Sequence, residues 1–138
     1  MKKAQITLMI LFSLIFLTSG AIAQNKPLAC QTDATAGLKW ESGQWITTSF
    51  TAIRPRFILV QAGKTLTTDS VGRAIGANPV NVSCRNAWER IECTDTTGGS
   101  LLFDPKKRKG GISQLFGVLS DETEKDTVTV QSFSCTPF

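Results

Sequence analysis

The sequence predicts an all-β domain, a small antiparallel β-sandwich or barrel of about eight or nine short strands stapled by disulfides. Three observations indicate this fold. Short runs rich in β-forming residues recur along the chain, and Gly-containing turns separate them. Four cysteines are spread from Cys30 to Cys135, which is typical of a small exported domain stabilised by two disulfides.

The clearest turn signal is Ser42-Gly43, which is flanked by alternating apolar and polar residues on both sides. A two-residue hairpin loop there places Trp40 opposite Trp45 and Leu38 opposite Thr47, all on one face. We expect this face to pack in the core. An exposed stacking platform for sugars or for apolar side chains of a partner is the alternative.

The first 23 residues have the features of a secretory signal peptide. Lys2 and Lys3 precede the apolar run 6–17, and Ala21-Ile22-Ala23 forms a cleavage site. The run is shorter than the roughly 20 residues that span a bilayer, so we expect no stable membrane insertion after cleavage. The sequence thus predicts one periplasmic or secreted domain over 24–138. Its net charge of +2, against +4 for the whole chain, does not indicate a nucleic-acid partner.

The cysteines Cys30, Cys84, Cys93 and Cys135 allow three disulfide connectivities. Their spacing favours a local Cys84–Cys93 bridge and a Cys30–Cys135 clasp between the two ends of the domain. A Cys₄ zinc site is the alternative, but the chain has no His and no C-x-x-C spacing. We therefore expect neither a metal nor a cofactor.

The remaining segments differ in how clearly they predict structure. Residues 91–93 and 101–103 share a face only if a loop of odd length joins them, for example a three-residue loop with a left-handed Gly98. We expect 24–36 to be a tethered arm and 69–79 to be irregular, with an uncapped helical turn as an option. Residues 112–119 fit a helix or a bulged strand, and the strand is favoured. Further strands are expected at 56–61, 80–84 and 127–131.

The composition excludes several kinds of active site. With no His and no Tyr, the chain has no Ser-His or Cys-His dyad, no imidazole base and no phenolic nucleophile. Carboxylates near predicted strand ends are the remaining catalytic candidates: Glu41, Glu89, Glu92 and Asp104. A pair of them could act as in a glycosidase, although solvated surface charge is the simpler interpretation. The acidic segment 121–126 lacks the spacing of a calcium loop.

Two features are candidates for contact with a partner. The turn Lys106-Lys107-Arg108-Lys109 carries four consecutive positive charges, and Trp88 lies within the Cys84–Cys93 loop, where a large ring is difficult to bury. The charges are explained most simply as a solvated turn that guards a sheet edge. The alternative is a site for an anionic partner, such as a phosphate-bearing envelope glycolipid or an acidic protein patch.

The pattern C…GLxWxxGxW…C…C…FxC resembles that of small exported bacterial proteins of unknown function. Here it runs from Cys30 through Trp40 and Trp45 to Cys84, Cys93 and Cys135. The resemblance implies a fold and a compartment only. We expect a non-catalytic binding, inhibitory or accessory envelope protein whose partner is an unknown protein or an anionic envelope component. A carboxylate-dependent hydrolase acting on envelope glycan is the alternative.

Overall fold

The computed structural model describes residues 25–52, 54–116 and 127–138. The predicted signal peptide and the acidic segment 121–126 lie outside these residues. The described chain contains nine β-strands, one α-helix and a short 3-10 helix at Pro79–Asn81. The elements are β1 (Lys26–Glu41), β2 (Gln44–Thr48), β3 (Arg56–Ala62), β4 (Thr65–Leu66), α1 (Thr68–Ile75), β5 (Ser83–Ala87), β6 (Arg90–Thr94), β7 (Gly99–Asp104), β8 (Lys109–Phe116) and β9 (Thr127–Pro137).

The strands form one antiparallel sheet in the order β4-β3-β1-β9-β8-β7-β6-β5, with β2 paired to β1 as well. The sheet curls into a nearly closed, barrel-like shape, so the predicted all-β fold is confirmed and the barrel is the form it takes. Its interior is filled by apolar side chains and by the stacked rings of Phe103 and Phe133. No helix in the described part of the chain is long and apolar enough to cross a membrane.

The longest strand, β1, lies inside the sheet and pairs with three other strands, and the prediction of an N-terminal arm is therefore wrong. Residues 26–31 pair with β3, residues 37–41 pair with β2, and most of the opposite edge pairs with β9. The sequence of this strand is polar because several of its side chains face solvent, so it does not indicate a strand. Pairing with neighbouring strands on both edges, rather than the β propensity of its residues, determines its extended conformation.

A β-bulge in β1 reverses the face on which the two tryptophans lie. The hairpin register is as predicted, with Trp40 opposite Trp45. The register with β9 shifts between Thr32 and Ala34, however, and leaves Asp33 without a strand partner. Because one extra residue exchanges the two faces of a strand, both rings lie on the outer face, and the expected core packing is wrong. Trp45 is 38% exposed.

The segment expected to be irregular contains an α-helix, α1, which packs against β3 and β7. The side chain of Thr67 accepts the Ser70 N–H at the N-terminus, and Gly76 ends the helix in a left-handed conformation. Val71 and Ile75 are buried in the core. The Gln114 side-chain amide donates to the Ile75 carbonyl and ties the helix end to β8.

Three local predictions are confirmed. Cys30–Cys135 and Cys84–Cys93 are both disulfides between directly paired strand residues. The β6–β7 loop closes with an Asp95 N–H to Gly99 carbonyl bond around Gly98, whose φ is +94°. Residues 112–116 belong to strand β8, as favoured, while 117–119 lie outside the described residues.

Candidate functional site

The basic turn, defined here as residues 104–109, joins β7 to β8 and has a tightly bonded backbone. The Asp104 carboxylate accepts the N–H groups of Lys106 and Lys107 at 3.0 and 2.9 Å. The Arg108 N–H donates to the Asp104 carbonyl oxygen at 2.8 Å. The Lys107 N–H, followed by the Lys106 N–H and the nearby cations, lowers the pKa of Asp104. The four basic side chains therefore extend into solvent from an ordered backbone.

A second tight turn, Trp88-Glu89, joins β5 to β6 at the same end of the barrel. Both residues have positive φ, +52° and +64°, in a two-residue hairpin loop. Asn and Gly are the usual residues in such a loop, and a bulky side chain there is strained. Trp88 is nevertheless 96% exposed, so no packing offsets the strain. Strain of this kind is concentrated at functional sites.

An ion pair joins the two turns. The Lys106 Nζ donates to the Glu89 Oε2 at 2.8 Å, and this hydrogen bond raises the pKa of Lys106. The turn that carries the exposed Trp88 ring is thereby connected to the turn that carries the remaining three basic residues. Within the described residues, no carboxylate lies within 4 Å of the charged groups of Lys107, Arg108 or Lys109. We call the two turns together the basic end.

Each disulfide supports one part of the basic end. Cys84–Cys93 crosslinks the β5–β6 hairpin that carries Trp88. Cys135, bridged to Cys30, donates its backbone N–H to the carbonyl of Arg108 at 2.8 Å. The cysteines thus have structural roles, and none of the four is a free thiol.

The carboxylates considered for catalysis each lie beside a cation or accept backbone N–H groups. Glu41 lies 3.7 Å from the Lys39 ammonium, and Glu92 lies 2.7 Å from the Arg85 guanidinium. Glu89 binds Lys106, as described above. The lowered pKa of Asp104 is the reverse of what a general acid needs. The described residues contain no cluster of three or more His, Cys, Asp or Glu side chains that fits a metal ion.

Two grooves on the surface of the barrel were not predicted. One, of about 430 Å³, lies against the basic turn and is lined by Arg108, Lys26 and Phe138, among others. The other, of about 760 Å³, is lined among others by Arg54, Arg56 and Arg73, and we call it the arginine groove. Both grooves are formed by segments that are distant in sequence, so no sequence motif marks either groove.

Comparison of the chain with protein-family models, with curated proteins and with solved structures finds no match.

Proposed function

We propose that this protein is a non-catalytic binding module of the periplasm or the extracellular space, and that its basic end recognises an anionic partner. The observation that carries the proposal is the Lys106–Glu89 ion pair, which joins the turn of the exposed Trp88 to the turn that carries three further cations. The two disulfides fit an oxidising compartment of this kind.

The charge arrangement supports an anionic partner. Lys107, Arg108 and Lys109 repel one another on a short turn, and in the described structure no carboxylate ion-pairs with them. A bound phosphate or carboxylate group would supply the missing counter-charge. Lys binds such groups as a point charge, whereas Arg offers two parallel donors to them. Binding should weaken as salt rises, since the contacts are exposed.

The exposed Trp88 adds an apolar contact to the charged ones. A Trp side chain has a flat apolar body that can stack on a sugar ring or pack against an apolar group of a partner. Its neighbour Glu89 is occupied by Lys106 and therefore does not repel an incoming anion as strongly as a free carboxylate would. The hydrolase alternative receives no comparable support, because its candidate carboxylates are held by cations or backbone N–H groups.

The test compares two variants of the exported domain that lose the same charge. Lys107→Gln/Lys109→Gln removes two cations from the basic end. Lys39→Gln/Arg85→Gln removes two cations from elsewhere on the barrel. Binding to long-chain inorganic polyphosphate and to polygalacturonate, which present phosphate and carboxylate groups, is measured at low and at physiological salt.

We expect the first variant to bind at least one of these polymers about 2- to 30-fold more weakly than the wild type, with a shallower salt dependence. The control variant should bind nearly as the wild type does. Trp88→Ala should also weaken binding without changing the fold. Equal losses in both charge variants would show that only net charge matters, and unchanged binding in the first variant would remove the basic end as the site.

A further inference from the structure

The strand register places polar side chains in one line across the outer face of the barrel, from the basic turn to the arginine groove. Lys109 pairs with Ser134, Ser134 with Gln31, and Gln31 with Arg56. Each of the four is next to a residue that faces the barrel interior, so their side chains share the outer face. We call this line the polar row.

The polar row ends in cations on both sides. At one end Lys109 belongs to the basic turn. At the other end Arg56 lines the arginine groove together with Arg54 and Arg73, and the same groove extends along the row past Gln31 and Ser134. Arg73 is ion-paired with Asp69, whereas no carboxylate among the described residues lies within 4 Å of Arg54 or Arg56. Three strand-to-strand steps separate Lys109 from Arg56, a backbone distance of about 14–15 Å.

The middle of the polar row offers an amide and a hydroxyl group, and the carboxylate of Asp33 lies beside the hydroxyl. Gln31 is exposed and offers an amide that both donates and accepts. The Ser134 hydroxyl donates to the Asp33 carboxylate at 2.9 Å, which leaves its oxygen able to accept a further hydrogen bond. The groove walls also include Ile58, whose exposed side chain provides an apolar surface beside the arginines.

We propose that the partner of the basic end is a linear anionic glycan that lies along the polar row and also occupies the arginine groove. This inference rests on the proposed function and specifies its ligand class. A glycan carries acidic groups separated by hydroxyl groups, which matches cations at the two ends and amide and hydroxyl groups between them. An acidic peptide would offer charge without the hydroxyl groups.

A chain that reaches both clusters gains affinity, because its second contact becomes intramolecular. A chain shorter than about 15 Å can use only one cluster at a time. Affinity for the wild-type protein should therefore rise abruptly, by about tenfold or more, once the glycan is long enough to span the polar row.

The experiment measures affinity for oligogalacturonates of increasing length, with polyglutamate of matched length and charge for comparison. The wild type is compared with two variants, Arg54→Gln/Arg56→Gln and Lys107→Gln/Lys109→Gln. The Lys39→Gln/Arg85→Gln variant again controls for net charge, and circular dichroism verifies that each variant is folded.

We expect affinity to rise abruptly with glycan length in the wild type and in the control variant. We expect no such rise in the other two variants. A rise that persists in the arginine variant but is lost in the lysine variant would overturn this inference and leave the proposed function in place. Wild-type binding by the lysine variant at every length would instead overturn the proposed function. No rise in the wild type, or tighter binding of polyglutamate than of oligogalacturonate, would exclude the spanning glycan.

Discussion

Gly110 lies directly opposite Phe133 on the neighbouring strand, and the Phe133 ring occupies the space that a Cβ at Gly110 would fill. A Cβ at Gly110 would also collide with the Leu102 carbonyl oxygen. Phe133 is buried and stacks on Phe103 with ring centroids 6.1 Å apart. Glycine at position 110 thus lets β8 pass over the centre of the core.

Gly110→Ala should lower the free energy of unfolding by about 1–3 kcal/mol, because either the ring or the strand must move. Gly111→Ala is the matched control. A Cβ at Gly111 would approach the Gln131 carbonyl oxygen at 3.4 Å, close to ordinary contact. Urea denaturation of both variants measures the difference. Equal stability of the two variants would show that the core repacks around the new methyl group.

The two tryptophans of the first hairpin stabilise it from the outside of the barrel. Trp40 and Trp45 meet edge to face with ring centroids 5.4 Å apart. Because both rings lie on the outer face, Trp40→Ala should cost about 1–2 kcal/mol, below the 3–5 kcal/mol typical of a large aromatic removed from a core. A double-mutant cycle with Trp45→Ala should give a coupling of about 0.5–1.5 kcal/mol. A loss of 3 kcal/mol or more for Trp40→Ala alone would contradict the outer-face position.

The register of this hairpin was predictable and the face of its rings was not, for a physical reason. Register depends on the two-residue turn at Ser42-Gly43, whose φ values of +52° and +83° suit a type I′ loop. The face depends on the bulge near Asp33, seven residues before Trp40, where β1 accommodates β9. A bulge is a property of the pairing of two strands distant in sequence, so an alternating pattern read in one strand does not contain it.

The candidate site, too, could be predicted from the sequence only in part. The run from Lys106 to Lys109 is contiguous and was visible in the sequence, as was the awkward position of Trp88. Their connection through Glu89 was not visible, because residues 89 and 106 meet only when β6 and β7 pair. The same holds for Arg54 and Arg73, which share a groove although strands β3 and β4 separate them along the chain.

The two disulfides should contribute unequally to stability. Cys30–Cys135 closes a loop of 105 residues, and Cys84–Cys93 closes one of 9. Chain entropy predicts about 4.7 kcal/mol for the long loop and somewhat under 3 kcal/mol for the short one. Cys30→Ala/Cys135→Ala should therefore lower the free energy of unfolding by roughly 2 kcal/mol more than Cys84→Ala/Cys93→Ala. A larger loss for the short bridge would indicate that native-state contacts outweigh loop entropy.

The basic turn should respond to acid through Asp104. Its pKa is lowered, chiefly by the Lys107 backbone N–H. A carboxyl group with a lower pKa in the folded state stabilises the fold above its unfolded pKa, and this contribution disappears as the pH falls through the folded pKa. The turn should therefore loosen only below about pH 4. An NMR titration of the Lys106 and Lys107 amide shifts measures this pKa.

Lys107→Gln should leave most of the Asp104 shift in place, because the backbone N–H that causes it is retained. The Asp104 pKa in this variant should remain below its ordinary value of 3.8. A return to 3.8 or above would show instead that the charge of the lysine side chain determines the shift.

The Trp88 turn should show a conflict between stability and binding. Trp88 has φ +52° and a side chain that is 96% exposed, so the residue strains the backbone and gains no core packing. Asn tolerates the left-handed conformation far better than a bulky residue does. Trp88→Asn should therefore raise the free energy of unfolding by up to about 1 kcal/mol while it weakens binding of the polyanion at the basic end. Urea denaturation and the polygalacturonate and polyphosphate binding assays, run on the same preparation, measure the two effects.

Ser42→Asn at the first hairpin is the matched control. Ser42 has the same φ of +52° and lies away from the basic end, so its replacement by Asn should reduce backbone strain and raise stability without affecting binding. A Trp88→Asn protein that is less stable than the wild type would mean that the ring makes contacts that its exposure does not reveal. A more stable one with unchanged binding would mean that the strained turn serves something other than the anionic partner.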